Sequence, residues 1–283
     1  MEYDLTCVLG PTACGKTKYA VALAKETGAE ILSADSRQVY RGMDIGTGKD
    51  LADYDGVPYH LIDIVPAGEK YDIYRYQRDF HKAYQDIISR GKPAILCGGS
   101  GLYIEAATRG YHLPDVPQNP ELRAELEKES DEVLISRLAS LKTLHNSTDY
   151  DTRKRLIRAL EIAIYEQEHP VDHTEYPPIK TRYIGLSVSR EVRNARIDAR
   201  LDARLAAGMV EEVRGLLDSG IAPEDLIYYG LEYKFITLYL TGQLTYDEMH
   251  DRLATAIHQF AKRQMTWFRG MERRGIHIEW VEV

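Results

Sequence analysis

Cysteine is scarce: the chain of 283 residues has three, Cys7, Cys14 and Cys97. They show neither zinc-ligand spacing nor a CxxC pair, which leaves out a thiolate metal module and a redox dithiol. A reducing, cytoplasmic setting is the expectation. No apolar run is long enough to span a membrane, and the acidic N-terminus runs straight into a strand, so neither a spanning helix nor a signal peptide is expected. Internal repeats and low-complexity tracts are missing, which excludes a solenoid or a disordered tail. An excess of basic charge is missing too. The formal net charge is −8, so a nucleic-acid partner would need a local basic groove and not a basic surface throughout. What is present is enough for a core: 44% of the residues are hydrophobic, and the length fits one large domain or a core domain with an insertion. Twenty tyrosines are best read as amphipathic packing at the core's edge.

The chain is organised around its first loop, Gly10-Pro11-Thr12-Ala13-Cys14-Gly15-Lys16-Thr17, which reads G-x-x-x-x-G-K-[ST]. Leu5 to Leu9 before it is a short apolar run suited to a buried strand, and Thr17 to Lys25 after it reads as a helix closed by Gly28. Glycines let backbone N–H groups and the helix N-terminus approach a diphosphate or triphosphate. Lys16 adds a mobile charge, and the Thr17 hydroxyl is the expected Mg²⁺ ligand. Cys14 inside this loop is more simply a small filler than an alkylation target.

Glu30 to Ala34 reads as a second strand ending in Asp35-Ser36-Arg37-Gln38. A carboxylate at the C-terminal end of a parallel strand points into the crevice where open α/β sheets bind ligands, so Asp35 is the first catalytic candidate, against a turn or cap role. The glycine-rich Arg41–Asp50 follows, with Thr47 and Lys49 able to reach a phosphate. Tyr59 to Ile64 looks like another strand, with His60 structural. Asp72 to Arg90 repeats apolar residues at helical spacing, and Ala94 to Cys97 is a strand ending in Gly98-Gly99-Ser100-Gly101. Strand, crossover helix and strand therefore recur, which predicts a parallel sheet flanked by helices.

The pattern breaks near Gly110. Tyr111 to Pro120, with three prolines, reads as a linker, and Glu121 to Leu144 as a small charged helical insertion. The expected division is a phosphate-loop core over 1–110 and 147–283 with an insertion over 111–146. A new helix from Asp151 carries Arg153, Lys154, Arg155 and Arg158, a face fit for an anion. Tyr183 to Val188 returns to the sheet. Glu191 to Leu217 reads as one long helix with Arg196, Arg200 and Arg204 on one face. Tyr246 to Arg269 is a further helix whose Lys262-Arg263-Gln264-Met265-Thr266-Trp267 interleaves basic, amide and aromatic groups, as an RNA contact needs. Ile276 to Trp280 alternates as a last strand.

Together these stretches resemble the tRNA dimethylallyltransferase (tRNA isopentenyltransferase) family: Gly10–Thr17, Asp35–Tyr40, Gly42–Thr47, His60–Asp63, Gly98–Tyr103, Arg158–Glu161 and Ala261–Arg269, in family order. The resemblance implies a P-loop-like α/β fold with a helical insertion. It implies transfer of a dimethylallyl group from its diphosphate to N6 of the adenosine 3′ of the anticodon in tRNAs reading U-initial codons. By the same resemblance Asp35 is the general base, Lys16, Thr17, Ser100 and Arg200 share the catalytic work, and Gly10, Thr12, Ala13, Cys14, Gly15, Lys16 and Thr17 hold the diphosphate. Mg²⁺ sits on Thr17. The anticodon stem-loop is held by Asp35, Ser36, Arg37, Gln38, Arg123, Lys154, Arg155, Arg158, Lys262, Arg263 and Gln264, and a monomer is expected. This chain departs from the family's usual Gly-Thr-Ala-Lys-Pro with Gly46-Thr47-Gly48-Lys49-Asp50, carries Tyr59 where a His is common, and has Arg204 where Met is usual. The competing readings are an adenylate isopentenyltransferase acting on free AMP, ADP or ATP, a phosphate-loop small-molecule kinase, and an RNA-binding module that kept the loop as a relic.

Overall fold

Strands buried on both faces need apolar side chains at every position, and the sequence supplies them in short runs. In the computed structural model, which describes residues 3–111, 113–142, 151–169 and 176–283, these runs form β1 (Leu5–Leu9), β2 (Glu30–Ser33), β6 (Ala94–Gly98), β7 (Thr181–Ser187) and β8 (Ile278–Glu282), with a two-residue β4 (Tyr59–His60) at one edge. The order is β4-β2-β6-β1-β7-β8, and each neighbouring pair is parallel. β3 (Tyr40–Arg41) and β5 (Val65–Pro66) pair separately.

The period of two decides which layer each residue joins. Leu5, Cys7 and Leu9 pack with Leu32, Leu96 and Tyr183 on one face. There they meet α2 (Ile73–Ser89) through Tyr76 and Phe80, and α11 (Tyr246–Arg273) through Phe268 and Met271. Val8 joins Ile31, Ile95, Cys97 and Ile184 on the other face, under Ala20, Val21 and Ala24 of α1 (Lys16–Thr27). Helix ends follow local chemistry. Gly28 closes α1 in the left-handed conformation, and Asp72 caps α2 by accepting from the Arg75 N–H at 2.9 Å. α3 (Gly101–Thr108) follows β6.

Two expectations are corrected. The strand from Tyr59 ends at His60 because Leu61 (φ 65°) and Asp63 (φ 55°) turn left-handed. His60 is structural, its Nε2 2.7 Å from the buried Glu30. The long helix over 191–217 is two, α7 (Arg190–Ala206) and α8 (Met209–Asp218), broken at Gly208 with φ 99°. The stretch after it, which carried no assignment, holds α9 (Pro223–Tyr228) and α10 (Leu231–Leu240).

The chain separates into a main unit, Met1–Tyr111 with Pro177–Val283, and a second unit, His112–Tyr176. The second unit runs past the expected 111–146 because α6 (Arg153–Glu168) belongs to it. Leu156, Ile157, Leu160 and Ala163 of α6 bury against Leu126 of α4 (Pro120–Leu126) and Leu134 and Leu138 of α5 (Asp131–Leu141). Glu161, 1% exposed, accepts from Arg123, Arg158 and the Asn119 N–H. Burial pulls its carboxyl pKa upward, but those three partners outweigh it and hold the group below the usual carboxylate range. Among the described residues no helix is long and apolar enough to cross a membrane.

His81 on α2 sets a pH limit on this core. Burial lowers its pKa to about 4. The unfolded chain therefore takes up the proton first, and stability present above the ordinary histidine pKa is lost as pH falls toward the folded value. Between pH 7.5 and pH 5 this one group is expected to cost ~1–2 kcal/mol. Urea denaturation at both values should show a smaller drop for His81→Gln than for the parent chain; equal drops would remove His81 as a cause.

Candidate active site

All six strands run the same way, so the loops leaving β1, β2 and β6 emerge on one edge of the sheet. The phosphate loop leaves β1. A Cβ on Gly10 would stand 2.8 Å from both Cys14 Sγ and the Leu186 carbonyl oxygen, so only glycine lets the loop lie this close to β7. Ala13 (φ 62°) and Gly15 (φ 86°) are left-handed, and Gly15 turns directly into α1. Lys16 Nζ folds back onto the Pro11 carbonyl at 2.7 Å. Cys14 is buried, as a filler would be.

The β2 loop carries Asp35, whose Oδ1 accepts from the Arg37 N–H at 2.8 Å. Its other carboxylate oxygen takes no hydrogen bond among the described residues. The β6 loop is drawn against it: a Cβ on Gly98 would sit 2.2 Å from the Ala34 carbonyl oxygen. Ser100 locks the pair, accepting from the Ser36 N–H at 3.2 Å while its own N–H bonds the Ala34 carbonyl at 3.2 Å. Gln264 of α11 then ties the phosphate loop to the β6 loop. Its Oε1 accepts from the Thr12 N–H at 2.8 Å and its Nε2 donates to the Gly99 carbonyl at 2.9 Å.

A cleft of about 530 Å³ opens over these loops, lined by Thr12, Asp35, Ser100, Arg200, Arg263 and Gln264 among others. Arg200 donates to the Thr12 hydroxyl. Desolvation, and then the neighbouring Arg204, pull its pKa down to about 10, so it stays charged at neutral pH. The outer wall is aromatic. Trp267 lies against Gly101, where a Cβ would come within 2.1 Å of the indole, and its Nε1 donates to the buried Glu105 at 2.8 Å. Arg37 sits 5.7 Å from the Tyr228 ring centroid and Arg263 5.9 Å from that of Phe260.

Residues 38–271 match the family described as IPP transferase, and residues 3–54 match isopentenyl transferase. A tRNA dimethylallyltransferase of Porphyromonas gingivalis is 62% identical, with 97% of this chain and 92% of that protein aligned. One of Bacteroides fragilis is 58% identical over 99% of this chain and 93% of that protein. The crystal structure of the full-length tRNA isopentenylpyrophosphate transferase of Bacillus halodurans superposes with a TM-score of 0.73 at 34% identity, covering 99% of this chain and 90% of that one. The chain belongs to the IPP transferase family. Its fold is the P-loop-like parallel sheet flanked by helices that the sequence led one to expect.

Within this family member the expected site residues fall into groups. Thr12, Asp35, Ser36, Arg37, Ser100, Arg200, Arg263 and Gln264 share the cleft. Gly10, Ala13, Cys14, Gly15, Lys16 and Thr17, on the loop and the first turn of α1, do not line it, nor does Gln38, which donates to the Gly48 carbonyl at 3.2 Å. Gln264 is 7% exposed, and both ends of its amide are spent on backbone, so it shapes the cleft instead of standing free for RNA. Lys262 is exposed beside it. In the second unit Arg123 and Arg158 are engaged by Glu161 and Arg155 by Asp151, while Lys154 is exposed. Lys49 does not reach toward a phosphate. It is buried, donating to the Tyr40 carbonyl at 2.6 Å and to Asp44 and Asp63.

Glu212 escaped the sequence reading. Its Oε2 accepts from the N–H groups of Asp44 (2.8 Å) and Ile45 (2.7 Å), and its Oε1 from Gly46 N–H (3.0 Å) and Tyr233 Oη (2.7 Å). That carboxylate fixes the loop whose Gly46 and Thr47 form part of the cleft wall. In the sequence it is only one more acid on a long charged helix, with no signal to single it out. A divalent cation has no protein cage here: no group of three His, Cys, Asp or Glu side chains could hold one among the described residues. One threonine hydroxyl beside a phosphate loop suits Mg²⁺, which takes its remaining ligands from phosphate oxygens and water.

Gln264→Ala leaves the Thr12 N–H and Gly99 carbonyl without their partner, and is expected to cost about 2 kcal/mol or more and lower Tm by roughly 5 °C. Lys262→Ala should stay within about 0.5 kcal/mol. Calorimetry of the two variants checks this; equal Tm values would deny the amide its bridging role.

Proposed function

We propose that this chain transfers a dimethylallyl group from dimethylallyl diphosphate to N6 of the adenosine 3′ of the anticodon of tRNA, releasing diphosphate. The observation that carries the reading is that Asp35 and Thr12 of the phosphate loop line one cleft, with Arg200 bonded to Thr12.

An exocyclic adenine amine is a weak nucleophile because its lone pair is delocalised into the ring. Asp35, with one oxygen held by the Arg37 N–H and the other uncommitted, takes the N6 proton as the carbon–nitrogen bond forms. The bond from the prenyl carbon to the diphosphate oxygen breaks, and negative charge collects on the departing diphosphate. Lys16, the loop N–H groups and Arg200 face that charge, in a cleft partly emptied of water where each such contact is worth more. Lys16 has to leave the carbonyl of the buried Pro11 to do so, exchanging that one acceptor for the diphosphate oxygens. Ser100 holds the Asp35 loop against the β6 loop and so fixes the distance between base and leaving group. The Thr17 hydroxyl would help hold a Mg²⁺ ion, which when bound would further neutralise the leaving group.

The target base has to leave its stack to enter the cleft. Arg37, Arg263 and the exposed Lys262 around the mouth suit an RNA backbone, and the aromatic wall suits unstacked bases. Lys154 and Arg155 of the second unit are further candidates, whereas Arg123 and Arg158 would have to abandon a buried carboxylate. We place the enzyme in the cytoplasm, as a monomer.

The test is a transfer assay with labelled dimethylallyl diphosphate and Mg²⁺, offering an anticodon stem-loop in one reaction and AMP or ATP in another. Label on the stem-loop adenosine is expected. Label only on the free nucleotide would make this an adenylate prenyltransferase, and label on neither would overturn the reading. Asp35→Asn should lower kcat by roughly 10²-fold with little change in the KM for RNA, as the loss of a general base requires. Near-parent turnover would take Asp35 out of the mechanism.

A further inference from the structure

Two guanidiniums one helical turn apart are an unfavourable pair unless an anion joins them. Arg200 and Arg204 of α7 both line the cleft. Arg204 is 13% exposed in its side chain, and the acid that pairs with it among the described residues, Asp50 at 3.6 Å, is itself 67% exposed. Glu232 lines the same cleft, and desolvation raises its carboxyl pKa despite the nearby Arg204 and Arg200. The room for Arg204 is specific to this chain's residues. A Cβ on Gly48 would fall 2.0 Å from Arg204 Nη2 and 2.7 Å from its Cζ, so the guanidinium lies flat over a backbone with no side chain, in a turn whose φ of 66° itself favours glycine. The three positions 48, 50 and 204 thus form one arrangement that puts a second cation beside Arg200.

We propose that Arg204, seated over Gly48, is a second guanidinium contact for the diphosphate of the prenyl donor and sets this chain's affinity for it. The inference rests on the transferase reading given above. A diphosphate held at Thr12 and Arg200 presents more oxygens than one guanidinium can meet, and a fork of two planar donors is the geometry that matches it. Arg204 is assigned to the donor and not the RNA because it stands one helical turn from Arg200, which bonds the Thr12 hydroxyl of the phosphate loop.

Binding of inorganic pyrophosphate with Mg²⁺ is measured by calorimetry for the parent chain, Arg204→Met and Gly48→Ala, alongside KM for dimethylallyl diphosphate and for the stem-loop. Arg204→Met should weaken pyrophosphate about tenfold or more, raise the donor KM by a similar factor and leave the RNA KM unmoved. Gly48→Ala, which keeps the arginine but pushes it off its seat, should shift the same two quantities, and the double variant should add little to either. Arg204→Lys should recover part of the pyrophosphate affinity. If Arg204→Met binds pyrophosphate within twofold of the parent, or if the RNA KM rises in place of the donor KM, the proposal fails while the transferase reading stands. If the parent chain neither binds pyrophosphate nor transfers the prenyl group, both fail together.

Discussion

One side-chain amide holds the cleft in shape. Gln264 bonds the Thr12 N–H with one end and the Gly99 carbonyl with the other, joining the loop after β1 to the loop after β6 from a helix 252 residues further along the chain. Around it the strand ends are packed to backbone contact: Gly98 on Ala34, Gly10 on Leu186. Neither loop has a hydrophobic core of its own. Their relative position therefore depends on this bridge and on Ser100, and the distance from Asp35 to the phosphate loop is inherited from both.

How much of this was legible in the sequence depended on the range of the interaction. The phosphate loop was legible because its geometry is local: left-handed turns at Gly15 and a close approach at Gly10 demand glycine within one short motif. The buried strand over Leu5 to Leu9 was legible for the same reason, as one short apolar run. Gly208 was passed over because apolar residues continue at helical spacing on both sides, from Leu201 and Leu205 to Met209 and Val213, so the stripe hid the break. The second unit's extent was misjudged because the charges of α6 draw the eye, while its attachment is decided by Leu156, Ile157 and Leu160, which bury against α4 and α5.

Charged side chains were the least legible, since the sequence gives their presence but not their partners. Lys49 looked free for a phosphate and is buried against Asp44 and Asp63. Arg123 and Arg158 looked ready for RNA and hold Glu161. Burial of one acid explains both, because a desolvated carboxylate must be paired, and truncating its partners would leave it stranded. The net charge of −8 conceals a cleft in which arginines outnumber their near acids.

Two runs of backbone N–H groups beside the cleft have opposite fates. The one at Asp44, Ile45 and Gly46 is filled from within by Glu212, whose two oxygens satisfy all three donors and Tyr233 besides. The one in the phosphate loop receives only a neutral amide oxygen, at Thr12. A carboxylate there would compete with any incoming anion; a carboxamide shapes the loop and leaves its positive field standing. The same argument distinguishes the arginines. Arg123 and Arg158 of the second unit are met by the buried Glu161, whereas among the described residues Arg200 donates to a hydroxyl, Arg204 lies 3.6 Å from the exposed Asp50, and Glu232 is the acid that shares their cleft. An unbalanced field in one place, in a chain that balances its charges elsewhere, is the physical form a site for an anionic substrate takes.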